Sequence, residues 1–350
     1  MIPDVSVVMP VRNGARWLPE SVASVLSQSL TGLELLAVDD GSTDETPRIL
    51  AEFAARDDRV RIIRQEPLGL VAALNRGLAD ARAPLLARLD CDDRARPERL
   101  ERQARYLRDH PEVGLLGSWA EAVDADGNVM GRRTPETESD VLKRFLMRGN
   151  PFVHSSVMLR TQLARDLRGF RHAFRAAEDY DLWIRMAEVA EVANLPEVLV
   201  DYRVHDAGVT KVQALRQAFS ARLARRSAQA RRETGHDPAD RLTDPPDWHA
   251  PEADASFYAD DARLYRLLDL AATSASAGKD ADVVDLAPLF AQFSDLAHAE
   301  RRLAMVAMLN HIRRARWSQA LRTCGRLLAL ALRRPGALVL LAAAMRTAGP

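Results

Sequence analysis

The strongest constraint on this chain is the alternation in its first hundred residues. A short apolar run over residues 5–9 is followed by a helical pattern over 17–28, with Leu18, Val22, Val25 and Leu26 on one face. The pair repeats as 33–38 with 43–56, 60–63 with 70–81, and 84–89 with a helix over 97–109 that opens on proline. Parallel strands need a crossover of a dozen or more residues between them, usually a helix. The alternation therefore predicts an α/β fold, a mostly parallel sheet with helices on both faces. Ligands bind such sheets outside the carboxyl ends of the strands. That rule puts three loops along one edge: Pro10-Val11-Arg12-Asn13, Asp39-Asp40-Gly41-Ser42 and Asp90-Cys91-Asp92-Asp93.

The last loop is the most informative of the three. Three carboxylates at the end of a buried strand repel one another unless a cation or a donor-rich ligand sits among them. Mg²⁺ is held by one or two carboxylates together with substrate phosphates, so the loop reads as a metal–phosphate site. A solvated acidic turn is the competing reading, and the convergence of the other two loops weighs against it.

Composition narrows the class. The chain has 350 residues, 47% hydrophobic and 28% charged, enough for one large domain and a smaller one. Its 49 basic and 49 acidic residues cancel, which excludes a global attraction to nucleic acid or to an anionic membrane. Nearly all the positive charge is arginine, since only Lys143, Lys211 and Lys279 are lysines, and arginine suits phosphate recognition. Cys91 and Cys324 are too few and too far apart for a disulfide framework or a zinc site. With no signal-peptide pattern at the start, the expected compartment is the cytoplasm. The apolar runs 327–332 and 337–345 are cut apart by Arg333-Arg334-Pro335-Gly336, and neither approaches the roughly 20 residues that span a bilayer. No transmembrane segment is expected, and peripheral contact with the inner membrane face stays open.

Beyond residue 113 the alternation weakens. Strands are expected at 113–119, 157–159, 192–195 and 198–204, with a helix over 178–189. A helix follows residue 210, and Pro238, Pro245, Pro246 and Pro251 break any regular pattern between 235 and 255, which marks a linker. Residues 256–350 read as amphipathic helices.

The motifs now on the page resemble those of the family 2 inverting glycosyltransferases of GT-A fold. Val5-Ser6-Val7-Val8-Met9-Pro10-Val11-Arg12-Asn13-Gly14 resembles the opening strand and nucleotide loop, and Val38-Asp39-Asp40-Gly41-Ser42-Thr43-Asp44 the second-strand signature. Arg88-Leu89-Asp90-Cys91-Asp92-Asp93 resembles the Asp-x-Asp metal motif. Glu178-Asp179-Tyr180-Asp181-Leu182-Trp183 resembles the acceptor-side Glu-Asp motif, and Tyr202-Arg203-Val204-His205 the closing strand. Five such motifs in order over residues 4–210 are a strong signal.

The resemblance implies a catalytic domain over 1–210, with a nucleotide-sugar half at 1–112 and an acceptor half at 113–210. A helix and linker at 211–255 and a helical region at 256–350 would follow. It implies Mn²⁺ or Mg²⁺ on Asp92, with Asp90 reaching the metal through water or holding the donor, and His205 as a further metal contact. Pro10, Arg12, Asn13, Asp39, Asp40, Asn75 and Asp90 are the implied nucleotide-binding residues. Asp179 is the implied base, which must take the acceptor proton if inversion is a single step. Glu178 and His154 are implied acceptor contacts. Helix-start acids also favour the macrodipole, a reading that covers Glu178, Asp179 and Asp181 equally.

The expected partners are a nucleotide-sugar donor, most simply a UDP-sugar, and a glycan or glycolipid acceptor, with no nucleic acid. Two departures stand out: Arg12 replaces the aromatic residue that many relatives carry there, and no Gln-x-x-Arg-Trp follows, which argues against a processive synthase. The alternatives are transfer to a polyprenyl phosphate and a non-catalytic glycan-binding or scaffold protein on the same fold. A sugar-1-phosphate nucleotidyltransferase lacks its glycine-rich loop here, and a dinucleotide oxidoreductase lacks Gly-x-Gly-x-x-Gly.

Overall fold

The computed structural model describes residues 2–205 and 213–276. Cys324 and the helices expected beyond residue 276 lie outside the described residues. The chain divides into two units, residues 1–245 and 246–350.

The first unit is built on one mixed sheet, and its strands are β1 (Val5–Val11), β2 (Leu33–Asp40), β3 (Val60–Gln65), β4 (Leu85–Arg88) and β5 (Arg94–Ala95). They continue as β6 (Val113–Val123), β7 (Val129–Arg133), β8 (Met158–Arg160) and β9 (Glu191–Arg203). The order is β3-β2-β1-β4-β8-β6-β9-β5, with β7 hanging on β6. The first four strands are mutually parallel, as the alternation requires. β8 then enters antiparallel between β4 and β6, and β9 returns parallel to β6. The acidic loop leaves β4 at this change of direction, the place where an open α/β sheet forms a crevice.

Helices α1 (Leu18–Leu26), α2 (Thr46–Arg56), α3 (Leu70–Asp80) and α4 (Arg99–Asp109) cover both faces, as β1 shows. Its Val5, Val7 and Met9 join a buried cluster with Leu18, Val22, Leu50, Leu100 and Leu107. Val8 points the other way, onto α3, where a Cβ on Gly77 would stand 2.4 Å from its Cγ1. Only glycine lets α3 lie that close.

The fold class is as expected, the antiparallel pairs of the sheet falling beyond β4, where β8 meets β4 and β6, β5 meets β9 and β7 meets β6. Some finer expectations are corrected. The two strands expected at 192–195 and 198–204 are one, β9, which slips register against β6 around Pro196 and Glu197. Proline cannot donate to the ladder, so the chain bulges there and pairing resumes. Strand β7, exposed along its length, and helices α5 (Ser139–Leu146) and α6 (Thr161–Asp166) are short elements with no counterpart in the periodicity. Helix α7 (Glu178–Val189) falls where expected, and α8 (Ala214–Thr234) closes on Gly235 with φ 74°.

The second unit holds α9 (Ala259–Ser276), preceded by a one-turn helix Pro251–Ala255. Trp248 and Tyr265 stack with ring centroids 5.9 Å apart at its core.

Candidate active site

The acidic loop is held from below by α1. Ser21 Oγ donates to the carbonyls of Cys91 at 2.8 Å and Asp93 at 2.5 Å. The three acids then divide their partners. Asp90 Oδ1 lies 2.6 Å from Nη2 of Arg88, and its Oδ2 accepts from Ser155 Oγ at 3.1 Å. Asp92 Oδ2 is 2.8 Å from Nε2 of His205. Asp93 Oδ1 accepts from the Arg203 backbone at 2.7 Å, while its buried Oδ2 has no partner among the described residues. One oxygen from each acid can be drawn within 4.8 Å of the others, a set that could hold a metal ion.

Electrostatics separate the three further. Burial opposes charge on Asp90, but the Arg88 guanidinium outweighs it and brings the carboxyl down to about 2. Asp92 is pushed up, by burial first and then by Asp90. Asp93 is raised well above its ordinary value by burial and both neighbouring acids. Asp93 therefore works as a strut to β9, and Asp90 and Asp92 remain as the partly exposed acids of the loop. Burial and the flanking acids also raise the Cys91 thiol, which keeps it inert.

His205, which the resemblance implies as a metal contact, lies against Asp92. It also stacks on Trp17 with centroids 4.5 Å apart, and Trp17 Nε1 donates to the Ala125 carbonyl at 3.3 Å. Arg203 ties this corner together. It donates to the Asp92 carbonyl at 2.9 Å, to the carbonyls of Asp124 and Ala125, and to Glu20 at 2.8 Å.

The first two loops are zipped to each other. Asn13, in the left-handed region at φ 52°, receives Thr43 N on its Oδ1 at 2.8 Å, and its own N–H donates to Ser42 Oγ at 3.0 Å. Gly14 N donates to Thr46 Oγ1 at 2.9 Å. Pro10 is buried in β1, and Arg12 is exposed just beyond it. Asp39 accepts from Ser42 N at 3.0 Å, the turn that shapes the edge. Asp40 is 4% exposed and occupied on both oxygens, by Gln65 Nε2 at 2.7 Å, Leu68 N at 2.8 Å and Gly69 N at 2.9 Å. It anchors the loop into α3, which leaves Asp39 the freer of the two. Asn75 is a correction. Its Nδ2 donates to the Phe170 carbonyl at 2.7 Å and its Oδ1 accepts from Phe170 N at 2.9 Å, so the amide is spent holding the turn at Gly169.

The residues expected on the acceptor side lie at the start of α7. Ala176, a non-glycine residue just before the helix, stands at φ 69°, the kind of backbone strain that collects at functional sites. Asp179 accepts from Tyr180 N at 2.6 Å and from Asn150 Nδ2 at 3.1 Å, and its Oδ2 lies 3.8 Å from Nδ1 of His154. Asp181 is wholly buried between Arg171 and Arg185, with hydrogen bonds of 3.0 and 2.7 Å from Arg185. That settles what the macrodipole could not: Asp181 clamps the helix, while Asp179 stays at the edge. Trp183 is buried packing.

His154 is drawn down to about 4, by burial first and then by the Arg88 charge, so its ring is neutral at pH 7. Glu178 is buried and raised to about 7 by burial and by Asp179. A carboxyl raised on folding stabilises the fold below its ordinary value near 4.5, and that stability is lost as pH rises toward 7. Glu178→Gln should therefore match the parent in urea unfolding at pH 4 and exceed it at pH 8 by on the order of 2 kcal/mol. Equal stability at both pH values would show that Glu178 ionises freely.

Consecutive residues join the two halves: His154 faces Asp179 and Ser155 holds Asp90. The turn carrying them is pinned by buried Gln103, whose Nε2 donates to the Ser156 carbonyl at 2.7 Å. The edge thus offers a cation-competent carboxylate pair beside a hydrogen-bonded carboxylate that can accept a proton. Ser155, Asn150 and Trp17 are members that motif reading passed over, and Arg88 and Arg203 stood inside their motifs without a role. Arg88 alone left a signal, a charge inside the apolar run 84–89.

Comparison with known proteins agrees with this geometry. The profile described as Glycosyl transferase family 2 matches residues 6–167. EpsE of Bacillus subtilis, a glycosyltransferase by name, is 37% identical over 206 residues, 57% of this chain and 73% of that protein. The amylovoran biosynthesis glycosyltransferase AmsE of Erwinia amylovora is 34% identical over 196 residues, 55% and 73% of the two chains. Among solved structures, S. aureus TarS 1-349 in complex with UDP aligns with TM-score 0.52 at 18% identity, covering 90% of this chain and 91% of its own. The mannosyltransferase PcManGT of Pyrobaculum calidifontis, in complex with GDP-Man and Mn²⁺, aligns with TM-score 0.52 at 20% identity, covering 91% and 88%. With the sheet, the acid loop and these relatives in agreement, the chain belongs to the family 2 glycosyltransferases and has the GT-A fold.

Proposed function

We propose that this chain transfers a sugar, with inversion and one residue at a time, from a UDP-sugar to a hydroxyl acceptor in surface polysaccharide or glycolipid assembly. The observation that carries the reading is the His154-Ser155 turn, which couples the carboxylate of Asp179 to the acid loop. Asp179 accepts the acceptor's proton as the hydroxyl oxygen attacks the anomeric carbon, and the bond from that carbon to the diphosphate breaks as the new one forms. Asn150 hydrogen-bonds the base, and His154 beside it is neutral at pH 7. Glu178, behind them, contacts the acceptor. Asn13 and Asp39 shape the nucleoside end of the edge.

Asp92, with His205 and Asp90 beside it, fits a divalent cation, and the orphaned buried oxygen of Asp93 marks how acid-rich the loop is. When bound, Mn²⁺ or Mg²⁺ offsets the negative charge of the departing diphosphate. The Mn²⁺ and nucleotide-sugar named for PcManGT, the UDP named for TarS and the polysaccharide named for AmsE support this choice. Transfer to a polyprenyl phosphate is the weaker reading, because an ionised acceptor has no need of a base held by two partners. Among the described residues no helix is long and apolar enough to cross a membrane.

The test is calorimetric titration with UDP, GDP and dTDP, each with Mn²⁺ and with EDTA. Binding of UDP in Mn²⁺, abolished by EDTA, is the expected result. Failure of a folded sample to bind any of the three would overturn the transferase reading in favour of a scaffold role.

A further inference from the structure

Strands β9, β6 and β7 lie side by side, and their register sorts the side chains onto two faces. Tyr202 on β9 pairs with Ala122 on β6, and Ala122 pairs with Gly131 on β7. Arg133 shares that face, because side chains alternate along a strand. The opposite face is filled. There Glu121 accepts from Arg132 at 3.1 Å and from Arg96 at 2.7 Å, and Arg96 also donates to Asp201 at 2.9 Å. The Tyr202 face is open instead. Ala122 offers only a methyl, and a Cβ on Gly131 would meet no atom within 4 Å. Tyr202 is half-buried, and its phenol oxygen makes no hydrogen bond among the described residues. Arg133 is exposed and has no ion pair among them, whereas Arg132 spends its charge on Glu121.

This shelf adjoins both parts of the site. The acid loop runs into β5, whose Arg94 pairs with Asp201, so Asp93 comes up beside Tyr202. Burial and then Asp93, Asp90 and Asp92 push the Tyr202 phenol up, and Arg133 opposes them from the far side of the shelf. On β6, Ser118 N donates to Ser156 Oγ at 3.2 Å, which seats the turn carrying His154. Ala122 lies further along the same strand, about 13 Å away at the usual rise per residue. An acceptor that brings a hydroxyl to Asp179 can thus extend along β6 to Tyr202 and Arg133. An aromatic ring offers a sugar an apolar face, and a guanidinium grips carboxylate or phosphate with a planar fork.

We propose that this shelf is an outlying acceptor subsite, where Tyr202 carries the face of a sugar ring and Arg133 holds an anionic group, a carboxylate or a phosphate, on that acceptor. The assignment rests on the transferase reading above. Arg133→Gln carries the test, because the side chain is exposed and its loss spares the fold.

The probes are methyl glucuronide, methyl glucoside and glucose 6-phosphate, followed by ligand-observed NMR with UDP and Mn²⁺ saturating the donor edge. The parent should bind at least one anionic probe about tenfold more tightly than methyl glucoside, the scale of a hydrogen bond to a charged group. Preference for the glucuronide names a uronic acid, and preference for the phosphate names a phosphorylated acceptor. Arg133→Gln should abolish the preference and leave methyl glucoside unchanged. Tyr202→Leu should weaken all three about fivefold, the scale of one aromatic contact. UDP affinity should hold in both variants, the mark of an intact donor site. No preference in the parent, or one that survives Arg133→Gln, would overturn the inference. So would a parent that binds UDP and none of the three probes. A parent that fails to bind UDP would instead overturn the transferase reading, and the inference with it.

Discussion

Replacing Asp179 by Asn should lower sugar transfer by about 10³-fold, within the range that a positioned general base contributes. Asn keeps the shape of the side chain and can still accept from Tyr180 N, but it cannot take a proton. Mn²⁺-supported nucleotide binding should be unchanged, because the acid loop touches Asp179 only through the His154-Ser155 turn. The pair of readouts separates the roles: an initial-rate assay reports the base, and calorimetry reports the donor site. Turnover near the parent level would remove Asp179 from the mechanism and return the helix-start acids to serving the macrodipole alone. Loss of nucleotide binding would mean that the substitution disturbs the turn rather than the chemistry.

Asp92→Ala should have the second large effect, on binding rather than on proton transfer. Losing the carboxylate best placed to hold the cation should weaken UDP binding in Mn²⁺ by about a hundredfold, at least the cost of losing a residue that merely supports a ligand. Circular dichroism and thermal unfolding unchanged from the parent would separate a metal effect from collapse of the loop. His205→Ala should act in the same direction and more weakly, since it removes one partner of Asp92 and the stack on Trp17 together. Unchanged UDP affinity in Asp92→Ala would take the cation away from this loop.

Both predictions depend on a division of labour among acids that look alike in the sequence. Asp90, Asp92 and Asp93 differ by their neighbours: an arginine, a histidine and a backbone N–H. Glu178, Asp179 and Asp181 differ in the same way. Burial raises the first, Asn150 and His154 attend the second, and two arginines clamp the third. Asp40 and Asn75 carry the opposite lesson. Residues of the right type in the right motif are occupied by the backbone of Gly69 and Phe170, brought beside them by the fold.

The sequence by itself determined the layered α/β architecture and the edge on which the loops collect. Those properties follow from periodicity and strand direction, which are local and survive without knowledge of any contact. Helix α7 and the four parallel strands were legible for that reason. The antiparallel entry of β8 was not, because a three-residue strand has too few positions to show a period. The partners of each carboxylate were likewise out of reach. Arg88 and Ser155 meet at Asp90 across a separation of 65 residues between the serine and the acid, and Arg203 reaches Asp93 across 110. Only the tertiary structure could decide those pairings, because ionisation and orientation depend on which charges and donors lie within a few ångströms, wherever the chain has brought them from.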